Sequence, residues 1–143
     1  MQIKPHLTAI ARRSPSQPAQ KLDSLGLLVG RKLDYGCGRG MDAETYDMER
    51  YDPYYQPNLP DGQFDTITCT FVLNVIPDTR ERLDVIDNIR KKLTTDGRAY
   101  ITVRRDTRAL NGTTSRGTWQ GLIELDYPIV ARGTGYVTYE VTK

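Results

Sequence analysis

The sequence has little histidine, little cysteine and no long apolar run, and each shortage excludes a class of protein. The single histidine, His6, is too few for a metal site of clustered histidine and cysteine ligands, so no metal is predicted. Two cysteines, Cys37 and Cys69, make no disulfide framework. We therefore expect a reducing compartment, the cytoplasm of a prokaryotic cell or of a virus-infected host. The longest apolar stretches, 25–29 and 71–76, fall far short of the roughly 20 residues that span a bilayer, so no membrane partner is expected.

Length and charge indicate one small domain. A chain of 143 residues is the size of a single domain, and we expect 1–143 to form one. The net charge of +2 combines two basic end segments, 1–24 and 97–143, each at +3, with a central segment at −4. Basic ends would suit an anionic substrate, but an ordinary solvated surface explains the same charges, and on charge alone we prefer that explanation.

The hydrophobic pattern alternates between strands and helices. Strands are predicted at 32–35, 48–51, 64–71 and 99–103, and helices at 19–28, 41–47 and 79–93. This order predicts an α/β fold in which crossover helices connect a mostly parallel sheet. A short helix at 119–127 and a closing antiparallel hairpin of 129–132 and 136–142 follow. Pro15 and Pro18 exclude a helix before Ala19, so we expect 1–21 to be an N-terminal arm or lid.

A glycine-rich turn after the first predicted strand is the most informative motif. Asp34 is followed by Gly36, Gly38 and Gly40, and glycines at this spacing let the chain turn sharply while a ligand lies against bare backbone. A tight turn without a ligand is the simpler alternative, and the strand-end acid argues against it. A dinucleotide site needs a wider glycine spacing and a later acid, so a nicotinamide dehydrogenase is the weakest candidate. A phosphate-binding P-loop is excluded because no Gly-Lys-Ser/Thr follows.

The segment 33–40, LDYGCGRG, resembles the first motif of class I S-adenosylmethionine (SAM)-dependent methyltransferases. The resemblance implies a Rossmann-like fold with SAM as the cofactor and S-adenosylhomocysteine as the product. It implies that the glycine turn wraps the methionine part, that Asp34 contacts its amino group, and that Asp52 binds the ribose hydroxyls. A carboxylate suits two vicinal hydroxyls because it accepts two hydrogen bonds. By the same resemblance the remaining cofactor-binding residues are Tyr35, Cys37, Pro53, Thr70, Phe71 and Val72.

A series of shorter matches narrows this resemblance. The matching segments are 8–12, 26–28, 33–40, 51–57, 71–76 and 115–120. In this order they are similar to the methyltransferase part of DNA phosphorothioation-associated methyltransferases. The resemblance covers most of the chain but supplies no substrate, so the partners considered are SAM, S-adenosylhomocysteine, and a nucleic acid or another anionic substrate.

The interval between Asp52 and Asp65 is too short for a full domain of this class. It has room for a loop only, so we expect a trimmed sheet that lacks one strand and one helix after the second strand. Without that strand the adenine needs another partner, for which Asp61 and Gln63 are candidates. A trimmed sheet exposes an edge that a second copy can cover, so both a monomer and a homodimer are considered.

Methyl transfer requires positioning more than acid–base chemistry, because the acceptor must approach the sulfonium in line. The catalytic candidates are Asn74, a polar residue within an apolar run, and Tyr55; capping of the following helix by Asn74 and plain aromatic packing of Tyr55 are the alternatives. The substrate-binding candidates are Arg12, Arg105, Arg116 and Trp119. Two other functions stay open: a non-catalytic SAM-fold binding module, and an enzyme that cleaves SAM as a lyase does.

Overall fold

The computed structural model describes residues 13–105, 112–113 and 119–143. The helices are Gln17–Ser24 (α1), Met41–Thr45 (α2) and Thr79–Lys91 (α3), with a 3-10 turn at Leu73–Val75. The strands are Lys32–Tyr35 (β1), Glu49–Tyr51 (β2), Phe64–Thr70 (β3), Leu93–Arg104 (β4), Gly112–Thr113 (β5), Trp119–Gln120 (β6), Ile129–Gly133 (β7) and Tyr136–Thr142 (β8).

The main sheet has the strand order β2–β1–β3–β4–β8–β7. Strands β2, β1, β3 and β4 pair in parallel, whereas β8 pairs antiparallel with both β4 and β7. The predicted Rossmann-like sheet with its C-terminal antiparallel hairpin is thereby confirmed. Since β1 to β4 run the same way, their carboxyl ends at Tyr35, Tyr51, Thr70 and Arg104 share one edge of the sheet. We call this the carboxyl edge; ligands of open α/β sheets bind at such an edge.

The sheet is trimmed between β2 and β3, as expected. Residues 52–63 are all described, and they form turns and one isolated bridge between Asp52 and Gln56, with no strand or helix. The chain therefore passes from the carboxyl edge at Asp52 back to the start of β3 through a loop. The missing strand leaves β2 at the edge of the sheet.

Apolar side chains of the central strands form the core. Leu33, Ile67 and Ile101 are completely buried on neighbouring strands, and α3 adds Ile89 from one face. Both faces of the central strands are covered, so β3 buries Thr66 and Thr68 as well as its apolar residues. Complete burial of each such side chain contributes about 1.5–3 kcal/mol. This packing holds β1 and β3 firmly, and it is the loops at the carboxyl edge that carry polar chemistry.

Helix α1 corrects the prediction for the N-terminal arm. Residues 17–21, expected in the arm, belong to α1, and Pro18 lies buried in its first turn. A proline is tolerated there because the first N–H groups of a helix have no carbonyl partner to lose. The Ser16 hydroxyl caps the helix by accepting a hydrogen bond from the Ala19 N–H at 3.3 Å. Of the rest of the predicted arm, residues 13–16 lead into α1, and 1–12 lies outside the described residues.

Helix α3 and strand β4 follow the predicted order with shifted boundaries, and α3 ends at Lys91 rather than at Leu93. The Asp78 carboxylate accepts a hydrogen bond from the Arg80 N–H at 2.8 Å, so it caps α3. Strand β4 begins at Leu93 rather than at Ala99. An irregularity in its pairing with β3 accommodates the extra residues, which the sequence pattern assigns to a turn.

The helix predicted at 119–127 is wrong. Trp119–Gln120 forms strand β6, which pairs antiparallel with β5, and 121–127 is irregular. The Gly121 N–H donates to the Asn74 carbonyl at 2.8 Å, so a tertiary contact takes a donor that a helix would need. The predicted hairpin of β7 and β8 is confirmed. Over the described part of the chain, no helix has the length and apolar character to cross a membrane.

Candidate functional site

The glycine turn follows β1 directly at the carboxyl edge. The N–H groups of Gly36 and Cys37 both donate to the Tyr51 carbonyl, at 2.7 and 2.9 Å, which ties the turn to the end of β2. Gly36, Gly38 and Gly40 have φ values of 90°, 54° and 90°, in the region that glycine alone adopts without strain. The three glycines are therefore required by the path of the backbone.

Gly36 is also required by its neighbour, because a Cβ atom there would overlap the Val72 side chain. A Cβ atom on Gly40 would lie 2.8 Å from a guanidinium nitrogen of Arg50, at the end of a flexible side chain that can shift. Val72 follows β3, so the turn lies close against the segment that was predicted to complete the cofactor site. Next to it, Phe71 has a φ of 59°, a conformation that costs energy in a residue with a side chain.

Asp34 is a buried carboxyl group immediately before the glycine turn. Only 4% of the residue is exposed, and its Oδ1 accepts a hydrogen bond from the Thr68 hydroxyl at 2.9 Å. Burial raises the pKa of Asp34 to about 7, and the nearby Asp42 carboxylate adds to the rise. The Thr68 hydrogen bond and the Arg50 charge oppose it. A cationic donor near this carboxyl group would favour its ionised form.

Asp52, at the end of β2, is oriented by three backbone donors. Its Oδ2 accepts from the Gly38 N–H at 2.9 Å, and its Oδ1 accepts from the N–H groups of Tyr54 and Tyr55 at 2.9 and 3.0 Å. Its backbone also exchanges two hydrogen bonds with Gln56, at 2.9 and 3.0 Å. Each carboxylate oxygen retains acceptor capacity, so the group can still bind hydroxyl donors in a fixed direction.

The charges around the glycine turn are mainly negative. The carboxyl groups of Asp34, Asp42 and Asp52 act on one another or on the adjacent Cys37, and two cations oppose them: Arg50, and Arg39 within the turn itself. This balance favours a ligand that carries positive charge and donates hydrogen bonds.

The cysteine within the turn is not a nucleophile. Burial, followed by the charges of Asp34 and Asp52, raises the pKa of the Cys37 thiol to about 12, so the thiol stays protonated near neutral pH. Cys37 is half-buried, whereas Cys69 lies in the core. No group of three His, Cys, Asp or Glu residues within the described ranges is arranged to hold a metal.

A cleft of about 230 Å³ opens beside the turn. Its wall consists of Cys37, Gly38, Arg39, Gly40, Arg50, Tyr55 and Gln56. The loop after β2 thus lies across from the glycine turn, where Tyr55 faces Arg39 with 5.7 Å between the guanidinium carbon and the ring centroid. The structure places Tyr55, predicted as a catalytic residue, in this cleft.

Asn74 lies in the 3-10 turn that follows β3, and it is 1% exposed. Its Nδ2 donates to Oε1 of Gln120 at 3.0 Å, while its Oδ1 has no hydrogen-bond partner among the described residues. The helix-cap alternative is wrong, because Asp78 caps α3. Gln120 is a residue that the sequence analysis missed; a contact across 46 positions leaves no trace in local spacing.

The substrate-binding candidates are only partly placed. Arg105 is half-buried and donates to the Tyr139 hydroxyl at 2.6 Å. Trp119 is half-buried and packs against the core, beneath the Arg82 guanidinium at 5.9 Å, so it anchors β6 to the core. Arg12 and Arg116 lie outside the described residues.

Three of the residues expected at the cofactor differ from one another in exposure. The Tyr35 side chain is in the core, with its ring 4.8 Å from that of Tyr51, so only its backbone belongs to the turn. Pro53 is exposed next to Asp52, and Thr70 is half-buried at the end of β3. The carboxyl edge thus brings Asp34, the glycine turn, Asp52 and Val72 together.

The two residues considered for adenine are at the wrong edge. The backbone carbonyls of Asp61 and Gln63 accept hydrogen bonds from the Arg31 guanidinium, which precedes β1. They therefore lie at the amino ends of β1 and β3, opposite the glycine turn. The loop after Asp52 runs the length of the sheet, a path that sequence distance from Asp52 does not reveal.

Comparison with solved structures finds similar folds at low sequence identity. A DhpI complex with SAM and HEP has a TM-score of 0.60 at 13% identity, over 86% of this chain and 83% of that one. Magnesium protoporphyrin IX methyltransferase from Synechocystis, with bound S-adenosylhomocysteine, has a TM-score of 0.55 at 16% identity, over 86% of this chain and 78% of that one. The N-methyltransferase NodS from Bradyrhizobium japonicum, also with S-adenosylhomocysteine, has a TM-score of 0.54 at 14% identity, over 94% of this chain and 95% of that one.

Comparison with protein families is more decisive. No curated protein sequence matches the chain. A family model described as a methyltransferase domain matches residues 8–125, a range that includes the glycine turn, Asp52 and Asn74. The chain belongs to this methyltransferase domain family.

Proposed function

We propose that the protein is a methyltransferase that uses SAM to methylate an acceptor. The observation that carries this proposal is the arrangement of Asp34, the glycine turn and Asp52 at the ends of two neighbouring parallel strands. Family membership supports the reaction, and the SAM or S-adenosylhomocysteine bound in similar structures supports the cofactor.

The residues present fit this cofactor. Gly36 leaves no room for a Cβ atom against Val72, so the turn forms a closely walled cradle of bare backbone. Asp34 offers a buried carboxyl group to an ammonium group, and Asp52 offers its oriented oxygens to two ribose hydroxyls. When bound, SAM supplies an activated methyl group on its sulfonium.

The protein's own contribution to the chemistry is positioning. Asn74 lies just beyond the carboxyl end of β3, and its buried Oδ1, which has no partner among the described residues, would orient a hydrogen-bond donor of an acceptor that reaches it. A protein base is needed only if the attacking atom of the acceptor must lose a proton before or during the transfer. Alignment of the two reactants is a sufficient source of rate enhancement for such a transfer.

Calorimetry with S-adenosylhomocysteine tests the cofactor. We expect saturable binding to the wild-type protein, and Asp52→Ala should weaken it by about tenfold or more, because two hydroxyls lose a charged acceptor. Absence of binding to folded wild-type protein would overturn the proposal. Product analysis then separates the reaction types: methyl transfer releases S-adenosylhomocysteine, whereas a SAM lyase releases methylthioadenosine and homoserine lactone. A non-catalytic module would bind the cofactor and release neither.

The acceptor is a nucleic acid or a small molecule. The narrower resemblance to DNA phosphorothioation-associated methyltransferases, which rests on short ordered matches from residue 8 to residue 120, supplies no substrate and leaves both classes of acceptor to be tested. Transfer of a labelled methyl group from SAM to DNA, RNA or a small-molecule extract distinguishes the two. Label in the small-molecule fraction alone would exclude the nucleic acid.

A further inference from the structure

We propose that the cleft beside the glycine turn holds the adenine base of SAM, with Arg39 and Tyr55 on its two faces and Gln56 at its edge. This inference rests on the proposed function. The cleft would supply the adenine contacts that the strand missing from the sheet cannot make. Neither the fold nor the family match assigns a residue to the base.

The size and the position of the cleft indicate that it holds one heterocycle rather than a whole ligand. At about 230 Å³ the cleft is smaller than the roughly 300–1,000 Å³ of a pocket that encloses a whole small ligand. It adjoins Asp52, whose Oδ2 is hydrogen-bonded to the Gly38 N–H in the cleft wall. A ribose bound to Asp52 would therefore direct its base toward this cleft.

Two flat groups face each other across the cleft. A guanidinium plane and a phenol ring both stack well on a nucleobase. Their separation of 5.7 Å is shorter than the roughly 7 Å that a base needs between two stacking partners, so Arg39 must move outward by an ångström or more. Arg39 is exposed and takes part in no ion pair between described residues, so its contact with the Tyr55 ring is what this movement gives up.

Tyr55 and Gln56 are held where the base requires them. The Asp52 carboxylate accepts a hydrogen bond from the Tyr55 N–H. The backbone N–H and carbonyl of Gln56 are both hydrogen-bonded to the backbone of Asp52. The amide side chain of Gln56 remains exposed, and it can both accept and donate a hydrogen bond, as the adenine edge demands. The acid that binds the ribose thus also fixes the loop that contacts the base.

Two ligands isolate the contribution of the base. S-adenosylhomocysteine contains the adenosine and the amino acid, whereas 5′-methylthioadenosine contains the adenosine without the amino acid. We expect Tyr55→Ala to raise the Kd of both ligands by the same factor, about tenfold, because stacking on the base is lost. Arg39→Ala should raise both Kd values about threefold, and Tyr55→Phe should retain wild-type affinity because the ring remains. Asp34→Asn should weaken S-adenosylhomocysteine only.

The controls separate this inference from the proposed function. Arg132→Ala removes an exposed arginine from β7, far from the cleft, and should leave both Kd values unchanged. If the wild-type protein binds both ligands and neither Tyr55→Ala nor Arg39→Ala changes their Kd, the adenine assignment is overturned while the cofactor stands. If the wild-type protein binds neither ligand, the proposed function itself is overturned. Arg39 lies on the surface, so its variant keeps the test valid should Tyr55→Ala unfold.

Discussion

Ser16 donates two hydrogen bonds to the carboxylate of Asp42, from its backbone N–H to Oδ1 at 2.7 Å and from its hydroxyl to Oδ2 at 2.6 Å. Asp42 lies in α2, directly after the glycine turn, and Ser16 caps α1. One serine therefore fastens the start of the described chain to the element that carries the cofactor turn.

Substitution of Ser16 should destabilise the fold. Ser16→Ala removes the cap of α1 and one donor to Asp42, and we expect the free energy of unfolding to fall by about 1–3 kcal/mol in a urea titration. Ser24→Ala is the matched control, since that hydroxyl is exposed and bonds only within its own helix. Its effect should stay within about 0.5 kcal/mol. Equal losses from the two variants would argue against the role of the Ser16–Asp42 contact.

Asp34 should make stability depend on pH. Burial raises its pKa to about 7, well above the value of 3.8 for an exposed aspartate. The folded protein therefore binds more protons than the unfolded chain between these two values, and stability should fall as pH rises from about 4 to about 7. Urea titrations across this range should show the fall for the wild type, and Asp34→Asn should flatten it. Equal slopes for the wild type and Asp34→Asn over this range would contradict the raised pKa of Asp34.

The same carboxyl group should make ligand affinity depend on pH in the opposite sense. An ammonium group binds best to ionised Asp34, so affinity for S-adenosylhomocysteine should increase as pH rises through about 7. Methylthioadenosine lacks the amino group, and its affinity should change little over this range. Calorimetry of both ligands at several pH values measures the difference. Parallel pH profiles would show that Asp34 does not contact the amino group.

A methyl group on Gly36 should cost more than its backbone conformation alone explains. Gly36→Ala brings a Cβ atom into the Val72 side chain at a φ of 90°. Gly26 has a φ of 71° with no atom within 4 Å, so Gly26→Ala measures the conformational cost by itself. We expect about 1–2 kcal/mol for Gly26→Ala and about 1–3 kcal/mol more for Gly36→Ala, from urea titrations. In the Gly36→Ala background, Val72→Ala should recover part of this excess loss of unfolding free energy. No recovery would mean that the excess does not arise from the contact with Val72.

Much of the parallel sheet could be predicted because its signals are local. The strand at Lys32–Tyr35, the glycine turn and the Asp78 cap each depend on residues within a few positions of one another. The expected loop between Asp52 and Asp65 follows from counting residues. These are the features in which spacing alone limits what the chain can form.

The errors arise where a distant contact decides the local structure. Residues after Trp119 have apolar spacing that permits a helix, but the Gly121 N–H is taken by the Asn74 carbonyl. Asp61 and Gln63 were considered for adenine because they follow Asp52 closely, yet the loop carries them to the Arg31 guanidinium at the other edge. Arg39 and Gln56 have no motif of their own, and only the folded turn shows them in one cleft.

Gln120 should stabilise the protein through Asn74. Its Oε1 is the acceptor for the Nδ2 of Asn74, which is buried and has no alternative partner in the described part of the chain. Gln120→Ala would leave that donor unsatisfied, and we expect a loss of about 1–3 kcal/mol of unfolding free energy in urea. Gln63→Ala, at an exposed loop position, should change stability by less than about 0.5 kcal/mol. Because the partner of Gln120 is Asn74, the loss should shrink in an Asn74→Ala background, where no donor remains to be satisfied. Additive losses in the double variant would show that the two amides act independently, and Asn74 would then have no side-chain support at the carboxyl edge.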